Sequence, residues 1–452
     1  MIKQIISQYY SKLLILPIVF IIQSTIIREL SVDDYAQYSL ILSYLVFIIA
    51  FSDLGISNYY YREMISVKIN YLSEILKFRI VLGFLGFLIF YSLNSLYNYI
   101  AIDSLVYIFI LTILVITIFA DTQEKVLRAN SKFVLISHRS ILFNILSLVA
   151  YLTISFVFGF NLLLALALYI FTIFIRIVFF TTDLKMKNTL LTIDNQKFKR
   201  SFFSTAYIPW VLVFILNTIY ARLDILMIEY FHDLKEVATY SVAYTIFEKT
   251  EVFIFAITAV LYNHFSNKKI STEQFDIFVK LILFIALFYI LFSIFFHEFF
   301  IELIAGGKYE NSKELFLIMS FGMIFKFFSS FFMNILLLEK KEYFAAFAIF
   351  VILSANVVLN YLFIPKYGAL AATYTTFICD VINFIVIYAY FYKTKSLHIG
   401  ILTIFSTVYI ISLNLIGGSF YSSYKYLIFI FLGYILLQLA YKKDLVLKVL
   451  RG

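Results

Sequence analysis

At 452 residues, with 63% hydrophobic and 14% charged residues, the chain lacks the polar surface of a soluble protein, whose domains are about a quarter charged. The net charge of +9 would suit nucleic acid, but the basic residues recur in alternate connecting segments instead of gathering on one face, which argues against that partner. The single cysteine, Cys379, lies in an apolar run, which excludes an internal disulfide and a cysteine metal site.

Fourteen apolar stretches follow one another along the chain. A helix needs about 20 mostly apolar residues to cross a bilayer, and only helices or closed barrels satisfy their backbone groups there. The first six predicted spans run roughly 9–30, 34–56, 79–99, 104–121, 138–158 and 161–182. The first lacks a small-residue cleavage site and is read as a retained helix, not a signal peptide. A basic segment, 183–200, comes next and is the longest polar gap, too short for a soluble domain. Six more spans run roughly 203–228, 237–262, 276–297, 313–338, 342–364 and 369–391, and two last ones 399–418 and 424–441. The abundant Tyr and Phe suit membrane interfaces better than a cofactor box.

If the N-terminus is cytoplasmic and the spans alternate, the inner segments hold 26 of the 36 Lys and Arg residues and the outer segments 7. That asymmetry is the positive-inside rule, and it predicts both termini in the cytoplasm. The other three, Arg176, Lys249 and Lys326, lie within spans.

The chain also carries an internal repeat. Pro17 and Arg28 precede Asp34-Tyr35-Ala36-Gln37-Tyr38-Ser39; Pro209 and Arg222 precede Glu236-Val237-Ala238-Thr239-Tyr240-Ser241, at an offset of 202. Spans 1 and 7 then correspond and share an orientation, which predicts parallel repeats about an axis along the membrane normal, as in transporters whose lobes rock about a central site. The expected fold is all-α and membrane-integral: about 14 transmembrane helices, in two parallel six-helix lobes with two extra C-terminal helices. The predicted divisions are an N-lobe at 1–182, a basic cytoplasmic linker at 183–200, a C-lobe at 201–392, and spans 13–14 with a cytoplasmic tail at 393–452.

The segment Asn360-Tyr361-Leu362-Phe363-Ile364-Pro365-Lys366-Tyr367-Gly368-Ala369-Leu370-Ala371-Ala372-Thr373 resembles the N-x-x-x-I-P-x-Y-G-x-x-G-A-A signature of the Wzx-type polysaccharide flippases. These are O-antigen and capsule repeat-unit transporters of the multidrug, oligosaccharidyl-lipid and polysaccharide exporter superfamily. Asp224-Ile225-Leu226-Met227-Ile228 followed by Val237 to Ala243, Phe51-Ser52-Asp53-Leu54-Gly55-Ile56 with Arg62, and Gly307-Lys308-Tyr309 with Leu315 are similar to further family motifs, in family order. Departures stand at Glu229, Thr239 and Ala371, where the family has glycine, and at Asn263, where proline is common. The resemblance implies a non-enzymatic flippase carrying polyprenyl-diphosphate-linked oligosaccharides from the inner to the outer face of a bacterial cytoplasmic membrane by alternating access. It implies membrane lipids and the polymerase and chain-length machinery as partners, no nucleic acid, and no cofactor beyond coupling to an H+ or Na+ gradient. In that family, spans 1, 2, 7 and 8 line the cavity.

Charges within a bilayer are costly and usually face a cavity or one another. Glu248, Lys249 and Glu251 fall near mid-membrane on span 8, roughly 17–21 Å along it at 1.5 Å per residue. Tyr244, Glu248 and Glu251 share a face there; Asn217, Tyr220 and Asp224 form a polar stripe on span 7, with Arg222 pointing away from Asp224. A diphosphate requires cations, and Arg28, Arg222 and Lys249 are the candidates for a substrate-binding cationic cavity. Asp224, Glu248, Glu251, Lys326 and Asp380 are candidates for ion coupling or for cavity ion pairs. The plainer readings are an intramembrane salt-bridge set on span 8, a structural Lys326–Asp380 pair, a snorkelling Arg176, an Asp53 at the lobe entrance or capping a helix, and Asn356 with Asn360 bonding a neighbouring helix. A drug exporter or lipid II flippase of the same fold, and a membrane glycan polymerase, are the alternatives. The loops are short, there is no D-x-D, the five histidines have no metal-ligand spacing, and no phosphate-binding glycine loop occurs.

Overall fold

The computed structural model describes residues 2–57, 72–97, 103–130, 132–185, 207–251, 272–339 and 341–395. The described residues form eleven α-helices, one 3-10 turn (Gly306–Tyr309) and no strand. The helices are α1 (Ile2–Glu29), α2 (Val32–Asp53), α3 (Leu72–Tyr97), α4 (Ser104–Ala129), α5 (Phe133–Phe158), α6 (Leu162–Lys185), α7 (Ile208–Phe231), α8 (Leu234–Thr250), α9 (Thr272–Ala305), α10 (Ser312–Leu338) and α11 (Glu342–Lys395). Ten of them are long and apolar enough to cross a bilayer, so the chain is a multi-pass membrane protein. The expected count of about fourteen is not reached among the described residues. The second half of span 8, the basic segment 186–200 and spans 13 and 14 lie outside them.

One helix holds two predicted spans. As a straight rod the 54 residues of α11 would measure about 80 Å, far more than a bilayer. Gly368, at φ 53 and ψ −134, folds it back on itself next to Pro365. The two arms run side by side: the Phe344 and Tyr390 rings stand 4.4 Å apart, and Cys379 Sγ lies 3.8 Å from the Ile352 carbonyl.

Helices α1 to α6 pack on one another, and α7 to α11 form a second group. The groups meet where α2 lies against α7 and α8, and where α1 lies against α9. In α10, 83% of the apolar window is buried, against 11% in α5. The phenylalanine-rich α10 is thus the core of the second group, while α5 turns most of its surface to lipid.

The repeat is visible in the helix ends. α1 stops at Glu29 and α2 starts at Val32; α7 stops at Phe231 and α8 starts at Leu234, so the offset of 202 holds at both boundaries. Both second helices are capped alike. The Ser31 hydroxyl accepts the Asp34 amide at 3.1 Å, and the Asp233 carboxylate accepts the Glu236 amide at 2.9 Å, each closing an otherwise open helix start. The proline and arginine pairs do not share this register. Pro17 lies inside α1, but Pro209 sits in the first turn of α7, where its missing N–H costs nothing. At the structural offset, Arg28 corresponds to Tyr230 and not to Arg222.

We call the end that carries the start of α1 and the end of α2 the basic end, predicted cytoplasmic, and the end that carries the α11 fold the hairpin end.

Candidate functional site

Three polar constellations are set in this apolar frame. The first is centred on Asp224, which is buried. Its carboxylate accepts from Asn356 at 2.9 Å, Asn360 at 2.6 Å, Tyr240 at 2.7 Å and Thr376 at 2.9 Å. These donors come from both arms of α11 and from α8, so one carboxylate ties three segments to α7. The Asn360–Thr373 motif continues the same junction. Ile364 offers its carbonyl to His232 at 2.6 Å, and Ala369 donates its amide to Glu236 at 2.8 Å. A Cβ on Gly368 would stand 2.6 Å from the Glu236 carboxylate, so only glycine permits both the turn and the contact.

The predicted mid-membrane charges pair across helices. Arg222 bonds Glu248 at 2.9 Å and lies over the Tyr244 ring, facing away from Asp224. Lys326 pairs with Glu251 at 2.5 Å and lies 4.5 Å from the centre of the Phe247 ring; the expected Lys326–Asp380 pair is replaced by this one. Asp380 is buried with one carboxylate oxygen that accepts no hydrogen bond among the described residues. The side chain of Lys249, half-buried, forms no hydrogen bond or ion pair with a described residue.

Arg28 is not among these groups. It lies at the hairpin end and donates to the carbonyls of Glu302 and Leu303 at 2.9 and 2.8 Å. Lys308 returns the contact, donating to the carbonyl of Arg28 and, at 3.2 Å, to that of Leu30. Ser24 adds a bond of 2.9 Å to the Ile304 carbonyl. The C-terminal carbonyls of α9 thus receive a cation from α1, and those at the end of α1 receive one from the 3-10 turn that follows α9, complementing both helix dipoles. Tyr35 and Tyr309 stack edge-on beside this clasp, so the two helix groups are joined at the hairpin end.

The third constellation is at the basic end. A cavity of about 480 Å³ is lined by Asp53, Ser57, Arg79, Asp121, Glu124, Lys125, Arg128 and Arg176, with Phe214 from the second group. It holds four cations and three carboxylates. Arg79, fully buried, pairs with Asp53 at 3.1 Å and donates to Thr122 at 3.0 Å. Ser57 also donates to Asp53. Arg176 reaches Asp121 at 3.1 Å and Glu124 at 2.5 Å, and Arg128 reaches Glu124 at 2.6 Å. Asp53 therefore anchors an arginine in the cavity wall, and Arg176 bridges to α4.

Sequence reasoning missed Arg79 because it began the third span there and counted the residue with the preceding loop, although α3 starts at Leu72, and it missed Lys125 and Arg128 because it ended the fourth span at 121 and placed the charges beyond it in a loop. The helix continues to Ala129. Its spacing was the available signal: Asp121, Glu124, Lys125 and Arg128 stand at i, i+3, i+4 and i+7, one helical face.

A profile of the family described as "Polysaccharide biosynthesis protein" matches residues 26–314. The Asn360–Thr373 motif lies outside that match. The fold is similar to the lipid II flippase MurJ in an inward closed conformation, at 15% identity and TM-score 0.68 over 99% of this chain and 100% of that one. It is also similar to a mutant of the Vibrio cholerae MATE transporter VcmN, at 14% identity and TM-score 0.62 over 87% and 96% of the two chains. A MOP superfamily transporter from Pyrococcus furiosus matches at 15% identity and TM-score 0.56, over 86% and 94%. No curated protein matches the chain by sequence.

Proposed function

We propose that this chain, which belongs to the polysaccharide biosynthesis protein family, is a flippase for polyprenyl-diphosphate-linked oligosaccharide repeat units. It would move them from the inner to the outer face of a bacterial cytoplasmic membrane for O-antigen, capsule or exopolysaccharide assembly. The observation that carries this reading is the cavity lined by Arg79, Lys125, Arg128 and Arg176. It lies at the end predicted to be cytoplasmic, where the substrate would be assembled, while the clasp closes the other end. Arginine forks bind phosphate bidentately, and here they already hold carboxylates that an incoming diphosphate displaces. The cycle then runs by alternation: the diphosphate enters at the basic end, the clasp parts, and the lobes rock to expose the head at the hairpin end. Release of Asp121 and Glu124 from their arginines offsets part of the gain, which keeps binding weak enough for turnover.

Arg28 serves as a gate residue in this reading. Arg222, held by Glu248, and Lys249 form a second cationic station deeper in the second group. Asp224 and Asp380, with Glu248, Glu251 and Lys326, are the groups through which an H+ or Na+ gradient drives the change. Membrane lipids surround the lobes, and the polymerase and chain-length machinery receive the product. The MATE likeness supports drug export as the competing reading.

The test is complementation of a strain lacking its own repeat-unit flippase. Wild-type chain is expected to restore surface glycan, and Arg176→Gln at equal membrane abundance to lose most of it. Restoration by both variants removes the arginine cavity from the mechanism. No restoration, together with raised resistance to cationic dyes, points to drug export.

A further inference from the structure

A second cavity, of about 640 Å³, opens where α2 and α3 of the first helix group meet α7 of the second. Its volume is that of a small-molecule site, about 300–1,000 Å³. On α7, Ile215, Ile219, Leu223, Leu226 and Tyr230 recur at three and four residues, so one helical face lines it. On α3 the lining includes Gly86, Phe90 and Asn94. A Cβ at Gly86 would stand 3.0 Å from the Phe51 ring, so glycine lets α3 approach α2 without displacing that ring. The cavity shares no lining residue with the arginine-lined one.

The lining carries one carboxylate, Glu229, and no cation. Glu229 lies two residues before the end of α7, at the hairpin end, and is half-buried. Among the described residues its side chain forms no hydrogen bond or ion pair. Other carboxylates within the helices are matched: Asp224 by four donors, Glu248 by Arg222, Glu251 by Lys326 and Glu124 by two arginines. A carboxylate left unmatched in an apolar wall is costly until a cation joins it. Glu229 is also a position at which the chain departs from the glycine of the motif that it resembles, and neither the arginine cavity nor the mid-membrane pairs use it.

Aromatic rings supply the rest of a cation's surroundings. Tyr44 and Phe90 stand 5.1 Å apart, and Phe47, Phe51 and Tyr230 extend the aromatic lining. Ring faces attract a cation, more strongly where water is excluded. From Ile215 to Glu229 is 14 residues, about 21 Å along α7, so a bulky apolar body has room behind a charge held at the hairpin end. An anion of the same shape meets a carboxylate and the negative faces of the rings.

We infer that the α2–α3–α7 cavity is a binding site for a lipophilic monovalent cation, an onium ion with bulky apolar substituents, and that Glu229 is its counter-ion. The aromatic lining holds the apolar body, and the carboxylate fixes which end of the ligand faces the hairpin end. Because the walls come from both helix groups, the bound cation favours the state in which α2 and α7 are apposed over any in which they part. The site does not depend on which substrate the chain carries.

Two probes of one shape and opposite charge test this, tetraphenylphosphonium and tetraphenylborate, with the full chain in phosphatidylcholine nanodiscs at pH 8. Wild-type chain is expected to bind the phosphonium saturably above empty nanodiscs and not to bind the borate. Glu229→Gln is expected to weaken phosphonium binding at least about tenfold, and Glu229→Asp, which keeps the charge, to retain most of it. Ile219→Trp, which fills the cavity and leaves Glu229 in place, is expected to weaken it by a similar factor. Equal binding of the two probes, or wild-type affinity for the phosphonium in Glu229→Gln, overturns Glu229 as counter-ion. Wild-type affinity in Ile219→Trp overturns the cavity as the site, and wild-type chain that does not bind the phosphonium overturns both. If a variant does not fold, a benzophenone-bearing triphenylphosphonium on the wild-type chain replaces it. Cross-links within residues 86–94 and 215–230 support the site, and cross-links confined to other helices exclude it.

Discussion

Asp224 accepts four hydrogen bonds from three segments, so its replacement strands donors that no water reaches. Each stranded buried donor costs about 1–3 kcal/mol. Asp224→Ala is therefore expected to destabilise the protein by about 3 kcal/mol, measured by unfolding in detergent. Asp224→Asn keeps the size and one acceptor but removes the charge. It is expected to fold and, under the coupling proposed above, to make transport independent of an ion gradient; transport that responds to a gradient as wild type does leaves Asp224 as a structural tie alone. Gly368 meets a backbone limit instead. Its φ of 53 and ψ of −134 are strained for any residue with a Cβ, and that Cβ would strike Glu236. Gly368→Ala is expected to cost about 2 kcal/mol and to release the Ala369 amide from its cap. A melting temperature equal to wild type would show that the hairpin relaxes around the new methyl group.

The decisive elements are helix ends. α1 and α9 each finish with open carbonyls that a cation across the contact satisfies: Arg28 of α1 reaches Glu302 and Leu303, and Lys308 of the 3-10 turn after α9 reaches Arg28 and Leu30. Because Arg28 is exposed, each bond contributes about 1 kcal/mol or less. In the proposed cycle that is still enough to bias a gate whose two states are close in free energy. Tyr35 is buried beside the clasp, so a cysteine there reports its opening. Tyr35→Cys is expected to react with a membrane-impermeant maleimide several-fold faster when Arg28 and Lys308 are both alanine. Equal rates would mean that packing alone closes the hairpin end. The matching turns between α1 and α2 and between α7 and α8 also belong to this scale. Both use a side-chain cap three residues before an acidic residue, a pattern legible in the Asp34 and Glu236 repeat. The proline and arginine correspondences failed because they were matched by residue type near a helix, without the helix boundaries that set the register.

For the molecule as a whole, the distribution of charge predicts the orientation. With 26 of 36 Lys and Arg in the segments predicted to face inward, reporter fusions at either terminus are expected to show both on the cytoplasmic side; opposite sides would mean an odd number of spans. The sequence by itself determined the all-helical, membrane-embedded class, because a run of about 20 apolar residues has one favourable environment. It also carried the two-part plan, through a repeat that structure places at the same helix boundaries, and the family, through motifs spread along the chain. It misplaced Arg28, which satisfies helix ends instead of facing a substrate cavity, and it overlooked Arg79, Lys125 and Arg128. Apolar windows stop at the first cluster of charges, whereas a helix extends as far as its backbone bonds close, so charges on the first turns of α3 and the last turns of α4 looked like loop residues. Only the tertiary structure decided which charges meet. Lys326 takes Glu251 in place of Asp380, Arg222 takes Glu248, and Asp53 takes Arg79, because pairing in an apolar medium depends on which helix faces which, and periodicity along one helix does not contain that information.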